Sequence, residues 1–272
     1  MIKKIAHIIN PVSVGPSSDL FVAQPITFET MKIAKEFARD QVEVEFFSAQ
    51  YPEDRVLVPA DFQMTPDLAR SVLELGHFQM RRKLPLLRDI LDRLYEASDA
   101  EYFIYTNVDI ALLPQFYTTV NAFVDGGYDA FVINRRTITA EYQNLAEIPL
   151  MYAEVGEKHE GYDCFVFRRE VYPQYELGEV CLGIPWVGRV LLWNLVCRAK
   201  NFYEFKKMHL TFHLGPGNDR AWQGEELADF RAHNVNEAKK VIAALERAYG
   251  PFDGRSPFAL YPPLFDTAYL EK

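Results

Sequence analysis

Among the 272 residues of the chain, Asn107 and Asp109 have the types and spacing best suited to chemistry. They come after Tyr102-Phe103-Ile104-Tyr105, a short apolar run that breaks into Thr106-Asn107-Val108-Asp109 and restarts as a helix behind Pro114. A strand of this kind, buried on both faces, delivers the next residues to the carboxyl edge of a sheet, where open α/β folds bind ligands. Side chains alternate along an extended chain, so the amide oxygen of Asn107 and the carboxylate of Asp109 point the same way and converge on one cation. Such hard oxygen donors suit Mg²⁺ or Mn²⁺ holding a diphosphate. The same triplet also serves as a plain turn cap; its place after a buried strand is what singles it out.

Arg81-Arg82-Lys83 is the one basic cluster in an acidic chain. It reads either as a solvated charge run or as cations, Arg82 and Lys83 first, that face a leaving diphosphate. Trp186 stands among small and aromatic residues at the start of an apolar helix, as a core residue or as a platform for a sugar. Asp219, Arg220 and Trp222 lie in a glycine-containing loop of a kind that can close over a ligand and exclude water.

The elements that must position these residues alternate. Ile5 to Ile9 is a buried strand, Thr27 to Arg39 has helical spacing, and Val42 to Phe46 alternates as a strand does. A β-α-β unit of this kind makes a right-handed crossover and a parallel pair. Thr65-Pro66-Asp67 reads as a helix start, with Thr65 as its cap. A further helix restarts at Pro85, and another runs from Pro114 to Gly126. Strands are expected at Asp129 to Arg136 and Cys164 to Phe167, separated by a polar, irregular insertion over 137–160. A buried helix comes after Trp186, a strand precedes Gly215, and a final helix capped by Asn234 runs to Gly250. The reading is one α/β domain over 1–250, with a mixed, mainly parallel sheet flanked by helices, and a proline- and aromatic-rich tail over 251–272 packed on it.

Composition narrows the class. A chain that is 49% hydrophobic can bury a substantial core, and a net charge of −9 argues against a sequence-independent nucleic-acid surface. Three cysteines without C-x-x-C spacing form neither a disulfide framework nor a zinc site and are expected as buried thiols. The loop after the first strand has neither a Walker nor a G-x-G-x-x-G pattern, which removes support for an ATPase or a dinucleotide enzyme. No run approaches the roughly 20 apolar residues that span a bilayer. No transmembrane segment is expected, and a soluble, cytoplasmic protein is.

A hydrophobic strand ending in a D-x-D-like triplet, in a chain of this size, resembles the GT-A glycosyltransferases, which use nucleotide-diphospho-sugars. The resemblance spans about residues 2–222 on short motifs, and it departs at Asn107, which removes one negative charge from the triplet. It implies that Asp109 binds the metal, with Asn107 helping to hold metal or ribose. Asn10, Val12 and Ser13, in the loop after the first strand, would meet base and ribose. Lys83 and Asp89 match a basic residue and an Asp before the metal strand. Asp163, opening the G-x-D-x-F-x-F strand, would be a general base in an inverting enzyme or a holder of sugar hydroxyls in a retaining one. His213 would complete the metal or diphosphate site. The implied function is metal-dependent transfer of a sugar from a nucleotide-diphospho-sugar to an unknown acceptor. Three alternatives stand beside it: a non-catalytic nucleotide-sugar-binding or partner-binding relative, a sugar nucleotidyltransferase, which the absence of a G-x-G-T-R signature disfavours, and a structural protein with no ligand.

Overall fold

A computed structural model describes residues 3–159, 161–215 and 224–250, together with Tyr261. In chain order the elements are β1 (Lys3–Ile9), α1 (Leu20–Ala38), β2 (Val42–Ser48), β3 (Gln63–Met64), α2 (Leu87–Ala97), β4 (Tyr102–Thr106), β5 (Ala111–Leu112), α3 (Phe116–Asp125), β6 (Ala130–Ile133) and β7 (Arg136–Ile138). They continue with α4 (Ile148–Ala153), β8 (Glu157–Lys158), β9 (Cys164–Arg168), α5 (Val187–Arg198), β10 (Phe202–Phe205), β11 (Thr211–Leu214) and α6 (Ala228–Tyr249). Seven strands form one sheet in the order β10-β6-β9-β4-β1-β2-β3, and four form a smaller sheet in the order β5-β11-β7-β8. The larger sheet is parallel except for β9, which runs antiparallel to both β4 and β6. The expected β-α-β unit is present as β1-α1-β2, with Ile5 opposite Val44.

Side-chain alternation divides β4 between two cores. Phe103 and Tyr105 pack with Leu87 and Leu91 of α2 and Leu191 and Leu195 of α5, whereas Tyr102 and Ile104 pack with Met31 of α1 and with Phe116 and Val120 of α3. Every residue of β4 is buried. Each large apolar side chain so covered contributes about 1.5–3 kcal/mol, and the strand that leads to Asn107 is clamped from both faces.

One polar group inside this core also fixes the end of β4. His7 of β1 is fully buried, 2.8 Å through Nδ1 from the Tyr117 hydroxyl and 2.9 Å through Nε2 from Thr106 Oγ1. Burial pushes its pKa down to about 3. The folded state holds the ring neutral while an unfolded chain protonates it below pH about 6.5, so stability falls as pH drops from about 6.5 toward 3. Urea unfolding between pH 6 and 4 should show wild type losing about 1.4 kcal/mol more per pH unit than His7→Gln; equal slopes would show that His7 titrates normally.

Several local signals yield to tertiary contacts. Thr65 caps no helix: its backbone N–H and its hydroxyl both donate to the Ser48 carbonyl, directly after the edge strand β3. Asn234 is not the start of the last helix but lies inside α6, where its amide bonds the backbone of Cys181 and the Pro185 carbonyl. The stretch expected to be irregular contains β7, α4 and β8, and β10 is present where no strand was anticipated. All three cysteines are buried and free. Of the expected tail only Tyr261 is described; its hydroxyl donates to Glu204 and its carbonyl accepts from Trp193 Nε1. No helix among the described residues is long and apolar enough to cross a membrane.

Candidate active site

Topology gathers the polar residues. Because β1, β4 and β6 run the same way, Asn10, Asn107 and the pair Asn134-Arg135 leave the sheet at one edge. The reversed β9 brings its beginning to that edge: Thr106 lies opposite Cys164, which sets Asp163 beside Asn107. The smaller sheet supplies the other wall. Phe212 pairs with Ala111 on one side and with Arg136 on the other, so His213 is carried next to the Asp109 turn and opposite Thr137.

The triplet is a turn rather than an extended segment. The Ile110 N–H donates to the Asn107 carbonyl at 3.2 Å, and Val108 is buried between α1 and α3. The alternation argument therefore fails here: Asn107 faces β9 and Asp109 faces β11. The Asn107 amide nitrogen donates to Asp163 Oδ1 at 3.3 Å, and its oxygen accepts from the Tyr105 hydroxyl at 3.1 Å. Asp109 Oδ2 lies 3.3 Å from His213 Nε2, while the other His213 nitrogen, Nδ1, donates to the Gly215 carbonyl at 3.0 Å. That bond places a hydrogen on Nδ1 and leaves Nε2 as the ring atom that meets the carboxylate.

Charge inside the site is balanced by Arg135, at the exit of the β6 strand. Arg135 is only 8% exposed; its Nε lies 3.5 Å from Asp163 Oδ2 and its Nη2 lies 3.3 Å from His159 Nε2. Burial raises the Asp109 carboxyl, but the His213 hydrogen bond and the charges of His213 and Arg135 outweigh it and hold the group below the usual carboxylate value. Among the described residues Asp109 Oδ1 is buried without a hydrogen-bond partner, and Asp163 Oδ2 and Arg135 Nε, likewise without one, face each other as an ion pair. Buried polar atoms are nearly always satisfied, and Asp109 Oδ1 has room here for a further donor or cation.

The donor set fits a divalent ion that arrives with a substrate. Two donors about 2.1 Å from one ion and at a right angle are about 3 Å apart, close to the separation of Asp109 Oδ2 and His213 Nε2. No three His, Cys, Asp or Glu side chains among the described residues form a metal cluster. A bound ion would meet one carboxylate and one imidazole here, with its other positions left to phosphate and water oxygens.

The other expected site residues have contacts of their own. The Asn10 amide donates to the Ala49 carbonyl at 2.6 Å and ties the exits of β1 and β2 together. Val12 is clamped through its N–H and its carbonyl by the Gln24 amide, and the Ser13 N–H donates to Asp54 Oδ1 at 2.7 Å. Gln24 and Asp54, which carried no sequence signal, are therefore what shapes this loop. Asp89 is held through both oxygens by Arg70, which also meets Glu179. Lys83 pairs with Glu53 at 2.7 Å over the Tyr51 ring, and Arg82 is exposed. Neither Asp89 nor Lys83 joins the Asp109 cluster through these contacts. Trp186 opens α5 with φ 88° and ψ −20°, the one left-handed non-glycine among the described residues. Such a backbone costs about 1–3 kcal/mol and persists where its surroundings enforce it. Two residues on, a Cβ at Gly188 would stand 2.7 Å from the Tyr162 carbonyl, so the first turn of α5 presses directly on the segment leading to Asp163. Asp219, Arg220 and Trp222 lie outside the described residues.

No protein-family profile and no curated protein sequence matches the chain. Among solved structures it is similar to S. aureus TarS 1–349 in complex with UDP-GlcNAc, at 10% identity and a TM-score of 0.51 over 96% of this chain and 76% of that one. Similarity to the longer S. aureus TarS chain has 10% identity and a TM-score of 0.48 over 96% of this chain and 46% of that one. A Bacillus anthracis chain described as a putative glucose-1-phosphate thymidylyltransferase reaches 13% identity and 0.43, over 84% and 95%. The chain has a GT-A-like fold, with a mainly parallel sheet in which one strand is reversed.

Proposed function

We propose that the protein is a glycosyltransferase that moves a sugar from a nucleotide-diphospho-sugar to a hydroxyl acceptor, with Mn²⁺ or Mg²⁺ on the diphosphate. The observation that carries this reading is the gathering of two carboxylates, Asp109 and Asp163, on one sheet edge with the buried Arg135 paired to Asp163 and with Asp109 Oδ1 lacking a hydrogen-bond partner among the described residues. Asp109 and His213 would hold the metal, which when bound stabilises the negative charge of the leaving diphosphate. Arg135 takes over the charge-neutralising role first expected of Arg82 and Lys83, because it is the cation that the fold sets next to both carboxylates. Asp163 accepts the proton of the acceptor hydroxyl as that oxygen bonds to the sugar carbon and the nucleotide diphosphate departs with the bonding pair. Trp186, on the wall that leads to Asp163, offers its ring to the acceptor.

A thermal-shift panel of UDP, GDP, CDP and their sugar conjugates, with and without Mn²⁺, tests the donor half. TarS of similar fold was solved with UDP-GlcNAc, which puts uridine nucleotides first. One nucleotide should raise the melting temperature with Mn²⁺ and little without it, and Mn²⁺ alone should do little, since the protein supplies only two donors. At 100 times the dissociation constant the stabilisation is about 2.7 kcal/mol, a shift of several degrees or less but measurable. No shift with any nucleotide under any metal condition would remove the reading. A relative that binds without turnover is the second possibility, favoured by the amide at Asn107; it predicts the same shift with no release of nucleotide.

A further inference from the structure

The amide at position 107 stands where a D-x-D triplet has a carboxylate, and the structure supplies a reason for it. The Asp163 carboxylate lies 3.3 Å from the Asn107 nitrogen. A carboxylate only accepts hydrogen bonds, so the amide must present its NH₂ to Asp163 and its oxygen the other way. There the Tyr105 hydroxyl donates to it at 3.1 Å. Burial, with the charges of Asp109 and Asp163, holds the Tyr105 phenol far above its ordinary pKa, so it stays a donor. Both ends of the amide are engaged, and Asp109, the residue two further on, faces His213 instead. On the far side of Asp163, Arg135 Nε approaches Oδ2.

We infer that Asn107 is a positioning residue for Asp163 and not a metal or diphosphate ligand: with Tyr105 behind it, it holds the carboxylate by Oδ1 and keeps Oδ2 beside Arg135, the orientation in which it serves the substrate. An aspartate at 107 would place two carboxylates at this 3.3 Å contact, which like-charge repulsion in a buried site opposes. Restoring the acidic triplet therefore damages the site. The functional consequence of the inference rests on the role proposed above for Asp163; the contact itself does not.

Two measurements on the full chain decide it. In urea unfolding at pH 8 without ligand, Asn107→Asp should move the unfolding constant about tenfold or more toward the unfolded state, and adding Asp163→Asn should recover most of that loss, since a carboxylate at 107 then accepts from an amide at 163. An Asn107→Asp protein as stable as wild type, or a double variant that regains nothing, overturns the inference. With UDP and Mn²⁺ as the probe, Asn107→Ala should bind within about threefold of wild type while hydrolysing UDP-GlcNAc about tenfold more slowly or worse. A tenfold or greater loss of UDP–Mn²⁺ affinity would make Asn107 a ligand and overturn it. If UDP binds no form of the protein, the proposed donor falls, and the unfolding cycle still decides whether Asn107 holds Asp163.

Discussion

Replacing Asp109 by asparagine is expected to erase the Mn²⁺-dependent nucleotide shift and to slow sugar transfer by about 10²–10³, the usual loss when one preorganised electrostatic partner of developing charge is removed. Asp109 is the carboxylate that faces His213, and its Oδ1 is buried with no hydrogen-bond partner among the described residues. An amide of the same shape keeps the turn closed by Ile110 and Asn107 but cannot neutralise a cation. The melting temperature without ligand should therefore move far less than the ligand response does. Calorimetric titration of UDP with and without Mn²⁺, on wild type and Asp109→Asn, separates the two effects. Unchanged Mn²⁺-dependent binding in the variant would move the metal away from this turn.

Asp163→Asn is expected to act on the other half of the reaction. Loss of a positioned general base lowers turnover by about 10²–10⁴, while nucleotide and metal, held elsewhere, should bind nearly as before. The carboxylate is already oriented by Asn107 on one oxygen and approached by Arg135 on the other, so its removal takes away the proton acceptor without opening the metal side. Parallel measurement of nucleotide release and of UDP–Mn²⁺ affinity gives the split. If affinity falls as far as turnover, Asp163 holds the donor sugar and the base lies elsewhere.

Much of the framework is legible because it is local. Four consecutive apolar residues from Tyr102 to Tyr105 require a buried strand, and the helix restart at Pro85 and the β1-α1-β2 crossover come from periodicity and from proline's missing N–H. The same local reading fails where a neighbour distant in sequence offers a better partner. Thr65 and Asn234 have the types that cap helices, yet the Ser48 carbonyl takes one and the Cys181 backbone the other. Arg135 stands at a strand exit and looks like a surface residue; only the reversal of β9 and the pairing of β11 with β7 enclose it.

From the sequence by itself came the class of fold, the strand that leads to the site and the residue types that suit a metal-borne diphosphate, since strand and helix periods and the turn after an apolar run are properties of adjacent residues. Tertiary structure alone decided which of those residues meet. Asp109 turned to His213, Asn107 to Asp163, Asp89 to Arg70 and Lys83 to Glu53, because each pairing joins residues 19 to 104 positions apart along the chain, whose approach depends on sheet order and strand direction rather than on local spacing.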